Sequence, residues 1–274
     1  MRLSNLKKSD GNKISLSINL FKIRYLWNSR MNSPLISIEH ISKKYRNADQ
    51  FSLKDVSFSI LEGEKFGILG PNGAGKTTLI SILCNVLQPT SGKIKFFHKI
   101  DNPTAIGFVP QDFAFFEELT AMQNLEYFGV FYQMSKNDIK TRSNELLQIL
   151  GLQSVARKKV KTFSGGMKRR LNLAIGILHK PHLLYLDEPT VGVDIQSKNA
   201  IINFLNELNQ QGTTIIYTSH HLQEAEEFCH RIAILDQGQI IAFDELEVLK
   251  QQHKVDSLMQ VLLKLTGEHY RDHV

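Results

Sequence analysis

Apolar and polar positions alternate in two short runs near the start of the chain. Ile36, Ile38 and Ile41 predict an edge strand, and Val56, Phe58 and Ile60 predict another. Phe66 to Leu69 reads as a short buried strand that runs into a glycine-rich loop, and residues 76 to 87 read as the helix that follows. A long helical stretch is expected over residues 119 to 151, with Leu146, Leu147, Ile149 and Leu150 apolar and Gly151 suited to a C-cap. Leu171, Ala174, Ile175 and Leu178 recur at i, i+3, i+4 and i+7, one face of a helix. Leu183 to Leu186 and Thr214 to Tyr217 are continuously apolar, as strands become when helices cover both faces of their sheet. Strands alternating with helices predict an α/β fold around a largely parallel sheet.

Composition adds little until it is placed along the chain. Of 274 residues, 42% are hydrophobic and 22% charged, which is ordinary for a globular domain. No apolar stretch approaches the roughly 20 residues that cross a bilayer, so a role at a membrane needs another chain to supply the span. Cys84 and Cys229 are the only cysteines and have no metal-ligand spacing, which suggests two reduced thiols in a cytosolic protein. The formal charge of +6 suggests nucleic acid, but residues 1 to 30 carry seven bases against the single acid Asp10. That segment therefore holds the whole excess, and no nucleic-acid partner is expected. Three readings of this leader stand open: a translation start that belongs at Met31, a disordered tail, or a basic segment that touches a membrane surface.

The chemistry begins at Gly70-Pro71-Asn72-Gly73-Ala74-Gly75-Lys76-Thr77, which fits the phosphate-loop pattern and lies between a predicted strand and a predicted helix. Glycines let backbone N–H groups curl around phosphates, and the helix N-terminus that follows favours an anion. Lys76 is expected to reach the terminal phosphates of a bound nucleotide, with Thr77 as a Mg²⁺ ligand and Thr78 beside it in the site. Leu183 to Leu186 ends in Asp187 and Glu188. A buried strand would deliver Asp187 rigidly to a Mg²⁺ site, and Glu188, one residue on, would suit a general base for an attacking water. A second anion-binding tip is predicted at Phe163-Ser164-Gly165-Gly166-Met167, where a serine and two glycines open a helix.

A phosphate loop combined with this second tip resembles the ATPase family of ABC transporters, whose signature is Leu-Ser-Gly-Gly-Gln. Ser164, Gly165 and Gly166 match it, while Phe163 and Met167 depart from its commonest form. The resemblance runs from residue 35 to about 245 and implies roles for further residues. Tyr45 lies where the family stacks an aromatic on adenine, although half-buried packing is an alternative reading. Gln111 resembles the glutamine that ligates Mg²⁺ and senses the membrane partner. Asp194, in Val191-Gly192-Val193-Asp194, resembles a dimer-contact residue. His220 follows Thr218-Ser219 as the family's γ-phosphate histidine does, with the adjacent His221 as its rival. Phe113, Phe115 and Phe116 read either as core or as a groove for a partner helix, with core the better reading for at least one.

The implied fold is a phosphate-loop NTPase core of ABC ATPase type with an antiparallel edge sheet. A helical subdomain of about residues 112 to 165 would carry the signature tip, and residues 246 to 274 would form a helical tail. The implied cofactors are ATP and Mg²⁺. The implied partners are a second copy of the chain and an integral membrane permease, which would hold the protein, cytoplasmic and peripheral, at the inner face of the cell membrane. Ser164 to Lys180, Pro189 to Asp194 and Leu262 to Gly267 resemble the drug-, sodium- and polymer-export type that serves ABC-2 permeases. Two rival classes fit less well. ABC ATPases of translation or DNA repair usually have paired domains or long coiled coils, and a GTPase would carry an N-K-x-D motif; the chain has none of these.

Overall fold

The computed structural model describes residues 34 to 267, apart from 47, 98, 99, 101 and 102. The basic leader lies outside the described residues, as does the end of the tail. Nine strands are seen among the described residues: β1 (Pro34–Lys43), β2 (Leu53–Leu61), β3 (Lys65–Leu69), β4 (Ser91–Phe96), β5 (Ile106–Val109), β6 (Leu183–Asp187), β7 (Thr214–Ser219), β8 (Arg231–Asp236) and β9 (Gln239–Glu245). The helices are α1 (Lys76–Leu83), α2 (Ala121–Phe131), α3 (Lys136–Ile149), α4 (Gly165–Gly176), α5 (Ile195–Gln210), α6 (Leu222–Phe228), α7 (Leu246–His253) and α8 (Leu258–Thr266). None of the described helices is long and apolar enough to cross a membrane.

The central sheet has the order β5-β6-β7-β3-β8-β9, parallel except for the last pair. Its apolar runs are apolar because both faces are covered. Leu184, Leu186, Ile215, Tyr217 and Ile234 point into one core with α4, α5 and the C-terminal helices. Their neighbours in sequence, Leu183, Tyr185, Ile216, Ala233 and Leu235, point into a second core with α1 and the antiparallel sheet. Each fully buried Leu or Ile contributes roughly 1.5–3 kcal/mol, so the alternation locks the strand register to both layers.

Three expectations need correction. Ile36, Ile38 and Ile41 lie on the middle strand of the antiparallel sheet, not on an edge, because that sheet has the order β2-β1-β4. The long helix expected over 119–151 is two helices. Gln133 turns into the left-handed region at φ 60°, and Ser135 caps α3 by accepting a hydrogen bond from the Asp138 N–H. Helix α1 stops at Leu83, because Val86 and Leu87 both donate back to the Ser81 carbonyl and wrap the chain into a turn. The tail contains α7 and α8, and α8 buries Leu258, Val261 and Leu262 in the first core. Burial pushes the thiols of Cys84 and Cys229 up to about 12, so both are inert near neutral pH.

Candidate nucleotide site

Parallel register brings the candidate residues together at one edge of the sheet. Leu69 pairs with Ser219, Thr218 with Asp187, and Leu186 with Val109. The segments that follow β5, β6, β7 and β3 therefore leave side by side at the carboxyl ends of their strands. These segments are Pro110-Gln111, Glu188, His220 and the phosphate loop. Clefts outside strand carboxyl ends are where open α/β sheets bind ligands.

The loop from Gly70 to Gly75 needs its glycines for two reasons. Gly70 and Gly75 have φ of 148° and 107°, in the left-handed range. A Cβ on Gly70 would also strike the Leu235 carbonyl oxygen, and one on Gly75 would stand 2.5 Å from the Ser52 carbonyl oxygen. The β8–β9 hairpin braces the loop from behind, with the Gly238 N–H donating to the Ala74 carbonyl at 3.0 Å. Lys76 is only 6% exposed, and its Nζ donates to the carbonyls of Gly70 (2.7 Å) and Pro71 (3.1 Å), across the mouth of the loop. Asn72, Gly73 and Thr77 are exposed. Tyr45 is 44% exposed, and its hydroxyl lies 3.4 Å from Thr78 Oγ1, beside the first turn of α1.

Asp187 is buried at the end of β6, where Thr218 Oγ1 donates to its Oδ1 at 2.6 Å. Burial raises the Asp187 carboxyl above its usual range, and the Thr218 hydrogen bond only partly offsets this. Glu188 turns sharply at φ 49°, and its N–H is held by the carbonyl and hydroxyl of Thr218. His220 Nδ1 stands 2.9 Å from Glu188 Oε1. His221 makes no such contact, and its backbone N–H goes to Ser219 Oγ. The all-oxygen set of Thr77, Gln111 and Asp187, beside the phosphate loop at the carboxyl ends of the strands, suits a hard cation carried in by phosphates.

The second tip lies elsewhere on the molecule's framework. Ser164 caps α4 by accepting from the Met167 N–H, and a Cβ on Gly166 would approach Ser197 Oγ to 2.9 Å and Asp194 Oδ2 to 3.2 Å. Asp194 in turn caps α5 through the Ser197 N–H, and these backbone hydrogen bonds hold its carboxyl below the usual range. The tip and the Asp194 loop are thus packed together and apart from the phosphate loop in sequence order. Among the aromatics, Phe115 packs against the core, while Phe113 and Phe116 are exposed.

Sequence reasoning missed four residues. Thr218 holds both acids. Arg169 and Asn172 grip the Gln111 segment: Arg169 donates to the Gln111 carbonyl, and Asn172 Nδ2 donates to the Pro110 carbonyl while its Oδ1 accepts from the Ala114 N–H. Glu224, 7% exposed, accepts from Thr190 Oγ1 (2.6 Å) and the Tyr217 hydroxyl (2.7 Å) and pairs with Lys198 (2.7 Å). The strand pairing of β6 with β7 could have pointed to Thr218. No local pattern marks the other three.

A strand, a glycine cradle and a helix beside two buried acids define a phosphate-loop nucleotide-binding site. The ABC transporter family model matches residues 53–191. The chain is 42% identical over 240 residues to a linearmycin resistance ATP-binding protein of Bacillus subtilis, covering 85% of this chain and 76% of that one. It is 34% identical over 244 residues to a daunorubicin resistance ATP-binding protein of Streptomyces coeruleorubidus, covering 87% and 76%. A solved ATP-binding subunit of an ABC transporter superposes with a TM-score of 0.76 at 28% identity, over 85% of this chain and 99% of that one. A dimeric ATP-binding cassette in a post-hydrolysis state, bound to ADP and phosphate, superposes with a TM-score of 0.69 at 28% identity, over 77% and 98%. The chain belongs to the ABC transporter family, as an ATP-binding member that hydrolyses ATP.

Proposed function

We propose that two copies of this chain close head-to-tail on two ATP molecules and so drive a separate membrane permease of the ABC-2 export type. The phosphate loop of one copy and the Ser164 tip of the other would hold each nucleotide, and closure is the population shift that ATP drives. The observation that carries this reading is the Glu188–His220 pair, at 2.9 Å and one residue past the buried Asp187. Glu188 is placed to take a proton from a water at the terminal phosphate. His220 holds the Glu188 carboxylate in orientation and presents its remaining ring nitrogen to the same phosphate.

Lys76 neutralises the terminal phosphates, and Tyr45 offers its ring to the adenine. Thr77, Gln111 and Asp187 would hold Mg²⁺, which neutralises charge that builds on the phosphate oxygens. Asp194 carries the contact between copies. The export direction is supported by the roles of two relatives, resistance to linearmycin and to daunorubicin. The permease would hold the protein at the inner face of the cell membrane, with segment 112–165 presenting the tip and residues 246–274 as a tail on the ATPase body.

Glu188→Gln tests the reading. The variant should bind MgATP, lose turnover by about 10²- to 10⁴-fold, and accumulate as an ATP-bound dimer on size-exclusion chromatography. Near-normal turnover would remove Glu188 from the mechanism.

A further inference from the structure

Arg169 lies in the first turns of α4, three residues past the glycines of the Ser164 tip, and is 7% exposed. A guanidinium so buried normally has a carboxylate partner. This one spans two loops instead. One terminal nitrogen donates to the Gln111 carbonyl at 2.6 Å, and the other donates to the Val191 carbonyl at 3.2 Å. Its plane lies over the Phe113 ring, 4.9 Å from the centroid. Its Nε–H is buried without a hydrogen-bond partner among the described residues. Burial lowers the basicity of the group, while the charges of Asp112 and Glu188 favour its ionised form.

The three segments that this side chain joins serve different nucleotides. Gln111 belongs to the subunit's own phosphate site. In the head-to-tail arrangement, the Ser164 tip and the Val191–Asp194 loop reach the site of the other copy. We propose that Arg169 is a positioning residue that couples the two nucleotide sites of the dimer: ATP that draws Gln111 inward in one site moves α4, its tip and the Val191 loop as one body toward the other. The fork geometry of arginine is what permits it, since two separate terminal nitrogens of one rigid plane each hold a carbonyl on a different loop, a span that the single nitrogen of a lysine ammonium does not cover. Asn172, one turn further along α4, grips only the Gln111 segment. The bridge to the Val191 loop therefore belongs to Arg169.

This inference rests on the head-to-tail dimer, so its test starts from the Glu188→Gln background. Arg169→Ala and Arg169→Lys are each added to that background and also made alone. Single-subunit affinity for a fluorescent ATP analogue should stay within about twofold, because no atom of Arg169 belongs to the phosphate cradle. The ATP concentration that half-populates the dimer should rise about tenfold or more with either substitution. In the variants that retain Glu188, the Hill coefficient for ATP in turnover should fall toward one, which a merely structural role would not produce. If Glu188→Gln alone forms no ATP-dependent dimer, the head-to-tail reading and this proposal both fall. A dimer that forms equally well with and without Arg169, or an unchanged Hill coefficient, overturns this proposal alone. If Arg169→Ala does not fold, Arg169→Lys, which keeps the charge and the aliphatic stem, decides the matter by the same readings.

Discussion

Glu224→Ala would remove the group on which three elements converge. In the intact protein the Glu224 carboxylate accepts from Thr190 Oγ1 and the Tyr217 hydroxyl and pairs with Lys198 in the first turns of α5. Truncation does not orphan all three partners. Thr190 Oγ1 and the Tyr217 hydroxyl lie 3.2 Å apart and can still satisfy each other, and the Lys198 side chain is 33% exposed and can turn to water. The loss should therefore fall below the ~3–5 kcal/mol of a fully buried broken pair, at about 2–3 kcal/mol. For a chain of this size that is a fall in Tm of roughly 5–12 °C.

The pH dependence of this loss has a definite sign. Burial alone would raise the Glu224 carboxyl, but hydrogen bonds from Lys198, Thr190 and Tyr217 overcome it and hold the group below the usual carboxylate range. A lowered folded value contributes stability that is complete above the unfolded value and lost as pH falls through the folded one. Urea unfolding of the wild type and Glu224→Ala should thus differ by a constant amount near neutral pH, and the gap should shrink in acid. A difference under about 0.5 kcal/mol at neutral pH, or a gap that widens in acid, would refute the assigned network.

Two further outcomes follow from the site. Lys76→Ala should weaken nucleotide binding by more than about tenfold in equilibrium titration, because the phosphates lose a charge-assisted donor, and unchanged binding would reject the role given to Lys76. Ser164→Arg should leave photolabelling by an ATP analogue intact while ATPase activity disappears, since a bulky side chain at the tip blocks only the approach of the partner's nucleotide. Loss of labelling together with activity would place the tip in its own subunit's site.

How much of this was legible beforehand depended on distance along the chain. Gly70 to Thr77, Asp187-Glu188 and Ser164 to Gly166 are contiguous, and their chemistry follows from residue type and from the strand or helix that adjoins them. The apolar runs of β6 and β7 announced a sheet covered on both faces, because burial on two sides leaves no polar position to alternate. Alternation in β1 could not say which strands pair on either side of it. Its central place in the second sheet depends on β2 and β4, which the local pattern does not contain. The place of His220 directly after Thr218-Ser219 already favours it over His221, but its contact with Glu188, 32 residues earlier, exists only in the folded chain. Arg169 is 58 residues from Gln111 and 22 from Val191, and Glu224 is 34 from Thr190. The sequence by itself determined the class of fold and the contiguous phosphate-binding motifs. Only tertiary structure decided the grips between segments, because a buried side chain takes its partners from whatever the packed sheet and helices bring within hydrogen-bond reach.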